Sequence, residues 1–147
     1  MEAAVAMDAW TARVSRELRD IGQELEHVHR AGSDVWDGAE QRRLRVKMAE
    51  RVAAITPLAS MSILDNFGTW RLSSRYEELP VVVFNPKRPI WHAALKAKSF
   101  GSFILPANAS PAIGVKSLVM GVVPTTQNGD MLGIVIGFVP YEIVDNN

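Results

Sequence analysis

Cysteine is absent from this sequence of 147 residues. Its absence excludes disulfides, a thiolate nucleophile, and zinc or iron–sulfur sites built on cysteine ligands. An excess of charge of either sign is absent too, because 16 Lys and Arg residues stand against 16 Asp and Glu residues. Proteins that coat nucleic acid or attach to membranes through basic clusters normally carry a positive excess. We therefore predict neither a nucleic acid nor a membrane as a partner.

Long hydrophobic runs are also missing. No stretch of about 18 consecutive apolar residues occurs, so we expect no transmembrane helix. The first residues mix acidic, basic and apolar side chains and do not form the apolar centre of a secretory signal. We therefore expect a cytoplasmic protein. The length suits one domain that buries its core without a metal or a disulfide.

Proline is missing from residues 1–56, whereas residues 57–147 hold all eight prolines and seven of the ten glycines. The second part is also richer in Val, Ile and Phe. This division predicts helices first and strands with turns afterwards. We predict an α+β fold in which a mainly antiparallel sheet of five to six strands is flanked by helices, with a long N-terminal helix.

The first helix, predicted over residues 3–30, carries an apolar seam with heptad spacing. Its two core positions are Ala4, Thr11, Leu18 and Leu25, and Met7, Val14, Ile21 and Val28. Such a seam serves either for pairing with a second helix or for packing on the sheet of the same chain. The length of about 40 Å, at 1.5 Å per residue, favours pairing.

We accordingly predict that residues 1–35 are an N-terminal dimerisation helix and that residues 36–147 form the domain itself. The interface of the predicted homodimer consists of Val14, Leu18, Ile21, Leu25 and Val28.

A second helix is predicted from Asp37 to about Ile55, and it carries five basic residues. They are Arg42, Arg43, Arg45, Lys47 and Arg51. No aromatic residue that could stack on a base lies among them. We interpret them as a solvated helix face whose charge is offset by nearby glutamates.

Strands are predicted from alternation and turn signals. Residues 59–65 and 69–73 read as a hairpin, with Trp70 and Leu72 on one face. Residues 115–123 and 131–139 flank an Asn-Gly turn, which is a strong hairpin signal. Both of these last strands are apolar at nearly every position, so both faces of the hairpin should be covered.

Between the hairpins, residues 79–84 are predicted to be extended and residues 90–98 to form a short helix that Pro89 opens. A strand is predicted to follow over residues 102–105.

The order of these elements resembles a GAF domain, a small sensory module related to PAS domains, over about residues 40–141. The opening hairpin, the helix-then-strand segment and the spacing of Ser117, Pro124, Gly129 and Gly133 carry the resemblance. It implies a sensory or regulatory module that acts through binding of a ligand or a protein and through helix-mediated dimerisation. Covalent bilin attachment is excluded, because it requires a cysteine.

The resemblance also implies where a ligand would bind, on the sheet face beneath the short helix. The lining residues would be Trp91, His92, Phe103, Leu105, Ile113, Met120 and Phe138. The identity of the ligand and of any cofactor is left open.

Catalytic and metal-binding patterns are not found. His27 and His29 are two residues apart on the predicted helix, so their side chains point about 200° apart and cannot share a metal ion. No residue pair suits nucleophilic or acid–base catalysis. We therefore predict that the protein is not an enzyme. The alternative to a sensory module is a structural or assembly subunit of a larger particle, which would use the long helix and the apolar hairpin as interfaces.

Overall fold

The computed structural model describes residues 2–54, 60–75, 103–109 and 116–140. Two helices, α1 (Glu2–Arg30) and α2 (Gly38–Ala54), precede the strands. The five strands are β1 (Ser60–Asp65), β2 (Trp70–Ser73), β3 (Phe103–Ala109), β4 (Lys116–Val122) and β5 (Gly133–Pro140). The predicted α+β class is confirmed. The predicted segments 79–84 and 90–98 lie outside the described residues.

Local signals in the sequence explain where the helices end and begin. Gly32, with a φ of 80°, ends α1, and the Ser33 amide donates a hydrogen bond to the carbonyl of Val28. Asp37 caps α2, because its Oδ2 accepts a hydrogen bond of 3.1 Å from the Ala39 amide. Among the described helices, none is both long and apolar enough to cross a membrane.

The strands form one sheet in the order β2-β1-β5-β4-β3, and every neighbouring pair is antiparallel. Gly129, with a φ of 85°, lies in the turn between β4 and β5, as the Asn-Gly pair predicts. In this hairpin residues 119–123 and 132–139 are buried, with Val122 3% and Ile136 1% exposed on opposite faces of the sheet. Burial on both faces of the sheet explains why these strands are apolar at nearly every position.

Both helices cover the same face of the sheet. α1 contacts β4 and β5, whereas α2 contacts β1 and β2. The strands contribute seven buried side chains to the shared core, namely Met61, Ile63, Leu72, Met120, Val122, Val135 and Val139. The Glu26 carboxylate of α1 also accepts a hydrogen bond of 2.9 Å from the Thr125 amide, beyond the end of β4. We call the sheet face beneath α1 and α2 the helix-covered face.

The apolar seam of α1 packs inside the chain, so the predicted dimer interface is wrong. Its members are at most 6% exposed and lie in the core with β4 and β5; they are Val14, Leu18, Ile21, Leu25 and Val28. A heptad seam presents the same apolar stripe to a sheet as to a partner helix, so its spacing could not distinguish the two uses. The division at residue 35 consequently does not separate two cores.

A bulge in β2 changes the predicted face of Trp70. The register pairs Ile63 with Leu72 but Leu64 with Trp70, which leaves Arg71 as an extra residue. Trp70 therefore lies on the face of Leu64, opposite to Leu72, and not on one face with Leu72 as alternation predicted. Alternation fails here because the bulge adds a residue to the strand.

Candidate functional site

The sheet face that points away from the helices carries small, hydroxylated, aliphatic and aromatic residues. Successive strand residues point to opposite faces, so Ser60 and Ser62 lie opposite to Met61 and Ile63 of the helix-covered face. The strand register extends this assignment to the other strands. We call this surface the serine face; its buried described members are Ser60, Ser62, Leu64, Trp70, Ser73, Val119, Gly121, Ile134, Ile136 and Phe138.

One row of the serine face crosses all five strands. From β2 to β4 it consists of Ser73, Ser62, Ile136 and Gly121, and the register continues it to position 103 of β3. Gly121 contributes no side chain near the end of β4. Glycine inside a strand often marks a place where a ligand or another backbone approaches closely.

Ser62 is the exceptional residue of this row. Its side chain is 2% exposed, and its Oγ has no hydrogen-bond partner among the described residues. A buried hydroxyl without a partner costs about 1–3 kcal/mol relative to a satisfied one. Such a group in a folded protein points to a ligand or an ordered water that completes its hydrogen bonds. We call it the orphan hydroxyl.

The neighbouring serines have partners of their own. Ser73 Oγ accepts a hydrogen bond of 3.1 Å from the Arg75 amide. Ser60 Oγ lies 3.5 Å from Ser74 Oγ, which also accepts a hydrogen bond of 2.9 Å from the Met61 amide. The unsatisfied position on the described part of this face is therefore confined to Ser62.

Sequence reasoning missed these serines. The signal was present, because Ser60-Met61-Ser62-Ile63 alternates hydroxyl and apolar side chains. That alternation predicts a strand with one apolar face and one face bearing hydroxyls. The hydroxyl face follows from the same alternation as the strand itself.

The predicted pocket residues divide between the two sheet faces and the undescribed part of the chain. Phe138 is 3% exposed on the serine face, and the register pairs positions 103 and 105 with Gly121 and Val119 of that face. Met120 lies in the helix-covered core, so its assignment to the same pocket is wrong. It is one residue away from Val119 and Gly121, and neighbouring strand residues point to opposite faces. Trp91, His92 and Ile113 lie outside the described residues.

A concave surface lies between α1 and α2. It is an open cleft of about 610 Å³ whose lining includes Asp20, Glu24, Lys47 and Arg51. Its charges pair across the two helices: Lys47 donates to Glu24, and Arg51 donates to Glu17 and, at 3.3 Å, to Asp20. Paired charges leave little unsatisfied chemistry for a ligand in this cleft.

The same pairs shift the pKa values of their members. The hydrogen bond from Lys47 lowers the pKa of Glu24, with Arg43 acting in the same direction and burial opposing both. The hydrogen bond to Glu17 raises the pKa of Arg51. Arg43, Lys47 and Arg51 belong to the basic cluster that was predicted to be a solvated helix face. Their ion pairs with glutamates of α1 show that these three side chains connect α2 to α1.

Asp65 stabilises the turn between β1 and β2. It is 3% exposed, and its Oδ1 accepts hydrogen bonds of 2.9 Å from the amides of Phe67 and Thr69. Its Oδ2 accepts from Arg71 Nε at 3.0 Å, and Arg71 lies over the Trp36 ring. All these contacts connect turns within the fold. In the described part of the chain, no group of three or more His, Asp or Glu residues could hold a metal ion.

The fold is similar to that of solved chemoreceptor ligand-binding domains. The sensory domain of the Campylobacter jejuni chemoreceptor Tlp3 with isoleucine bound has a TM-score of 0.78 at 13% identity, over 98% of this chain and 57% of that chain. The ligand-binding domain of the Pseudomonas aeruginosa amino acid chemoreceptor PctB in complex with L-Arg has a TM-score of 0.70 at 18% identity. The match covers 92% of this chain and 52% of that chain.

The ligand-binding domain of the Pseudomonas fluorescens chemoreceptor CtaA in complex with L-serine has a TM-score of 0.71 at 14% identity. The match covers 98% of this chain and 57% of that chain. The chain thus spans just over half the length of these solved chains. At such identities the likeness shows a shared fold. No protein-family model and no curated protein sequence matches the chain.

Proposed function

We propose that this chain is a non-enzymatic sensory module that binds a small molecule on the serine face, and that the ligand is an amino acid. The observation that carries the proposal is the fold, which nearly the whole chain shares with chemoreceptor domains solved with amino acids bound. The orphan hydroxyl supports the location, because it is a buried polar group that a ligand would satisfy.

Three finer predictions are separate from this proposal. The GAF resemblance and the chemoreceptor likeness agree on a small sensory module, and the GAF assignment itself stays a prediction. Homodimerisation and a cytoplasmic location also stay predictions. Any dimer would use a surface other than the seam of α1, which the chain's own core occupies.

The alternative, an assembly subunit, loses its proposed interfaces. The seam of α1 is buried within the chain, and residues 119–123 and 132–139 of the β4–β5 hairpin are buried on both faces of the sheet. Neither surface is left exposed for a larger particle. The large apolar side chains that are exposed in the described residues, Val46 and Phe67, lie on other elements.

Thermal unfolding of the purified chain with each common L-amino acid, followed by calorimetric titration of those that act, tests the proposal. A ligand that binds the folded state at 100 times its Kd adds about 2.7 kcal/mol to the free energy of unfolding. We expect at least one L-amino acid to raise the Tm and its D-enantiomer to have a smaller effect. Absence of a shift with every amino acid would contradict the proposed ligand class.

A further inference from the structure

We infer that the ligand presents to the serine face an uncharged side chain carrying a hydroxyl or carboxamide group, which hydrogen-bonds to Ser62 Oγ. This inference rests on the proposed function, since it concerns the same site. It narrows the ligand class from amino acids in general to small neutral ones with a polar side chain.

The described part of the serine face, which forms the floor of the proposed site, has no charged side chain. The members of the serine face are serines, a glycine, aliphatic residues, Trp70 and Phe138, and the described strands place no Asp, Glu, Lys or Arg there. A charged ligand group on this floor would lose its hydration without meeting an opposite charge. The ligand's ammonium and carboxylate must therefore lie away from the floor, and the part that contacts it is uncharged.

The orphan hydroxyl carries the second step. A serine hydroxyl offers one donor and accepts through two lone pairs. An alkyl side chain over Ser62 would displace water and leave both functions unsatisfied, whereas a hydroxyl or carboxamide satisfies at least one. The expected advantage of the polar side chain is about tenfold in affinity.

The residues around Ser62 on the serine face limit the length of the ligand's side chain. Ser62 and Ile136 are cross-strand neighbours, and Gly121 follows on the next strand. Strands are about 4.8 Å apart, so the alkyl stem of a short side chain can rest on Ile136 while its polar end reaches Ser62. Gly121 presents no side chain on the other flank of Ile136.

Isosteric ligands test this inference. L-Threonine and L-valine have nearly the same shape and differ by a hydroxyl in place of a methyl group. We expect calorimetric titration of the wild-type chain to give about tenfold tighter binding of threonine than of valine. We also expect asparagine to bind more tightly than aspartate, which has similar size but carries a charge.

The variant Ser62→Ala removes the orphan hydroxyl. It should reduce the threonine-to-valine ratio to about one, mainly by weakening threonine binding. Ser33→Ala, at an exposed position between the helices, is the matched control and should keep the wild-type ratio. Because the comparison of ligands on the wild-type chain needs no variant, the inference stays testable if Ser62→Ala does not fold.

The possible failures are distinguishable. Binding of valine as tightly as threonine, or of aspartate more tightly than asparagine, would overturn this inference and leave the sensory module intact. An unchanged ratio in Ser62→Ala would show that water satisfies the orphan hydroxyl, and would overturn it too. Binding of no amino acid at all would overturn the proposed function and the inference together.

Discussion

Gly22 lies in the interior of α1, where glycine lowers helix stability by about 1 kcal/mol relative to alanine. A Cβ at this position would be 3.5 Å from Val122 Cγ2 and 3.7 Å from Pro124 Cβ. Both distances are ordinary van der Waals contacts. We therefore expect Gly22→Ala to raise the free energy of unfolding by about 0.5–1 kcal/mol, measured by chemical denaturation followed by circular dichroism.

Gly133 provides the matched control, since it receives the same substitution in a tighter place. A Cβ there would lie 2.5 Å from the carbonyl oxygen of Leu64, a backbone atom of the paired strand. Gly133→Ala should therefore lower the free energy of unfolding by about 2 kcal/mol. Equal destabilisation by both variants would contradict the spacing between α1 and β4.

At the scale of elements, the contacts between α1 and α2 depend on pH. Glu24 accepts hydrogen bonds from Lys47 and Arg43, which lower its pKa below the ordinary value of 4.5. Since the pKa in the folded state is lower than that in the unfolded state, the stabilisation is fully present above about pH 4.5. It is lost as the pH falls through the folded-state value.

We expect Glu24→Gln to lose less stability than the wild type between about pH 6 and pH 3. The difference should stay below about 1 kcal/mol, because the three side chains are 28–41% exposed and water screens the pairs. Urea denaturation at both pH values measures it. Glu50→Gln, at an exposed position on α2, should follow the wild type; identical pH dependence in all three proteins would refute the assignment to Glu24.

Leu18 tests how α1 uses its apolar seam. Its side chain is fully buried in the core beside the sheet. Leu18→Ala should lower the free energy of unfolding by about 3 kcal/mol, whereas Val46→Ala, at a position 53% exposed on α2, should change it by less than about 0.5 kcal/mol. A seam in a dimer interface would behave differently: the variant would reduce the mass in solution and leave the sheet folded. Sedimentation and circular dichroism together separate the two cases.

The sequence was sufficient for those features that local signals determine. Gly32 predicts the end of α1, and Asn128-Gly129 predicts the turn between the last two strands, because few residues adopt a positive φ. Asp65 predicts a turn for a similar reason, since a short carboxylate can accept hydrogen bonds from nearby amides. These conformations depend on a few neighbouring residues.

The features that failed depend on tertiary contacts. The seam of α1 can pack on a helix or on a sheet equally well. Which of the two it contacts is therefore determined by the rest of the fold. In β4 nearly every residue is apolar, so no alternation showed that Met120 faces the helices while Val119 faces the other side. The orphan hydroxyl of Ser62 belongs to no motif and becomes evident only when its surroundings are known.

For the whole molecule, one sheet separates two different environments. The helices cover one face, and the candidate ligand site is on the other. β5 contributes to both, with Val135 and Val139 in the helix-covered core and Ile136 and Phe138 on the serine face. Among the described elements, the strands are the connection between such a ligand and α1. An influence through them requires that α1 and the sheet respond as one cooperative unit.

Hydrogen exchange can establish whether they do. Gly133→Ala places its strain between β5 and β1, away from the contact of Gly22 with Val122. If the chain is one cooperative unit, amides of β5 and amides of α1 between Val14 and Val28 should exchange faster by the same factor, about tenfold for each 1.4 kcal/mol lost. A separate helical unit over residues 1–35 would instead keep its wild-type exchange rates while β5 accelerates. That outcome would exclude α1 as the element that carries a signal from the serine face.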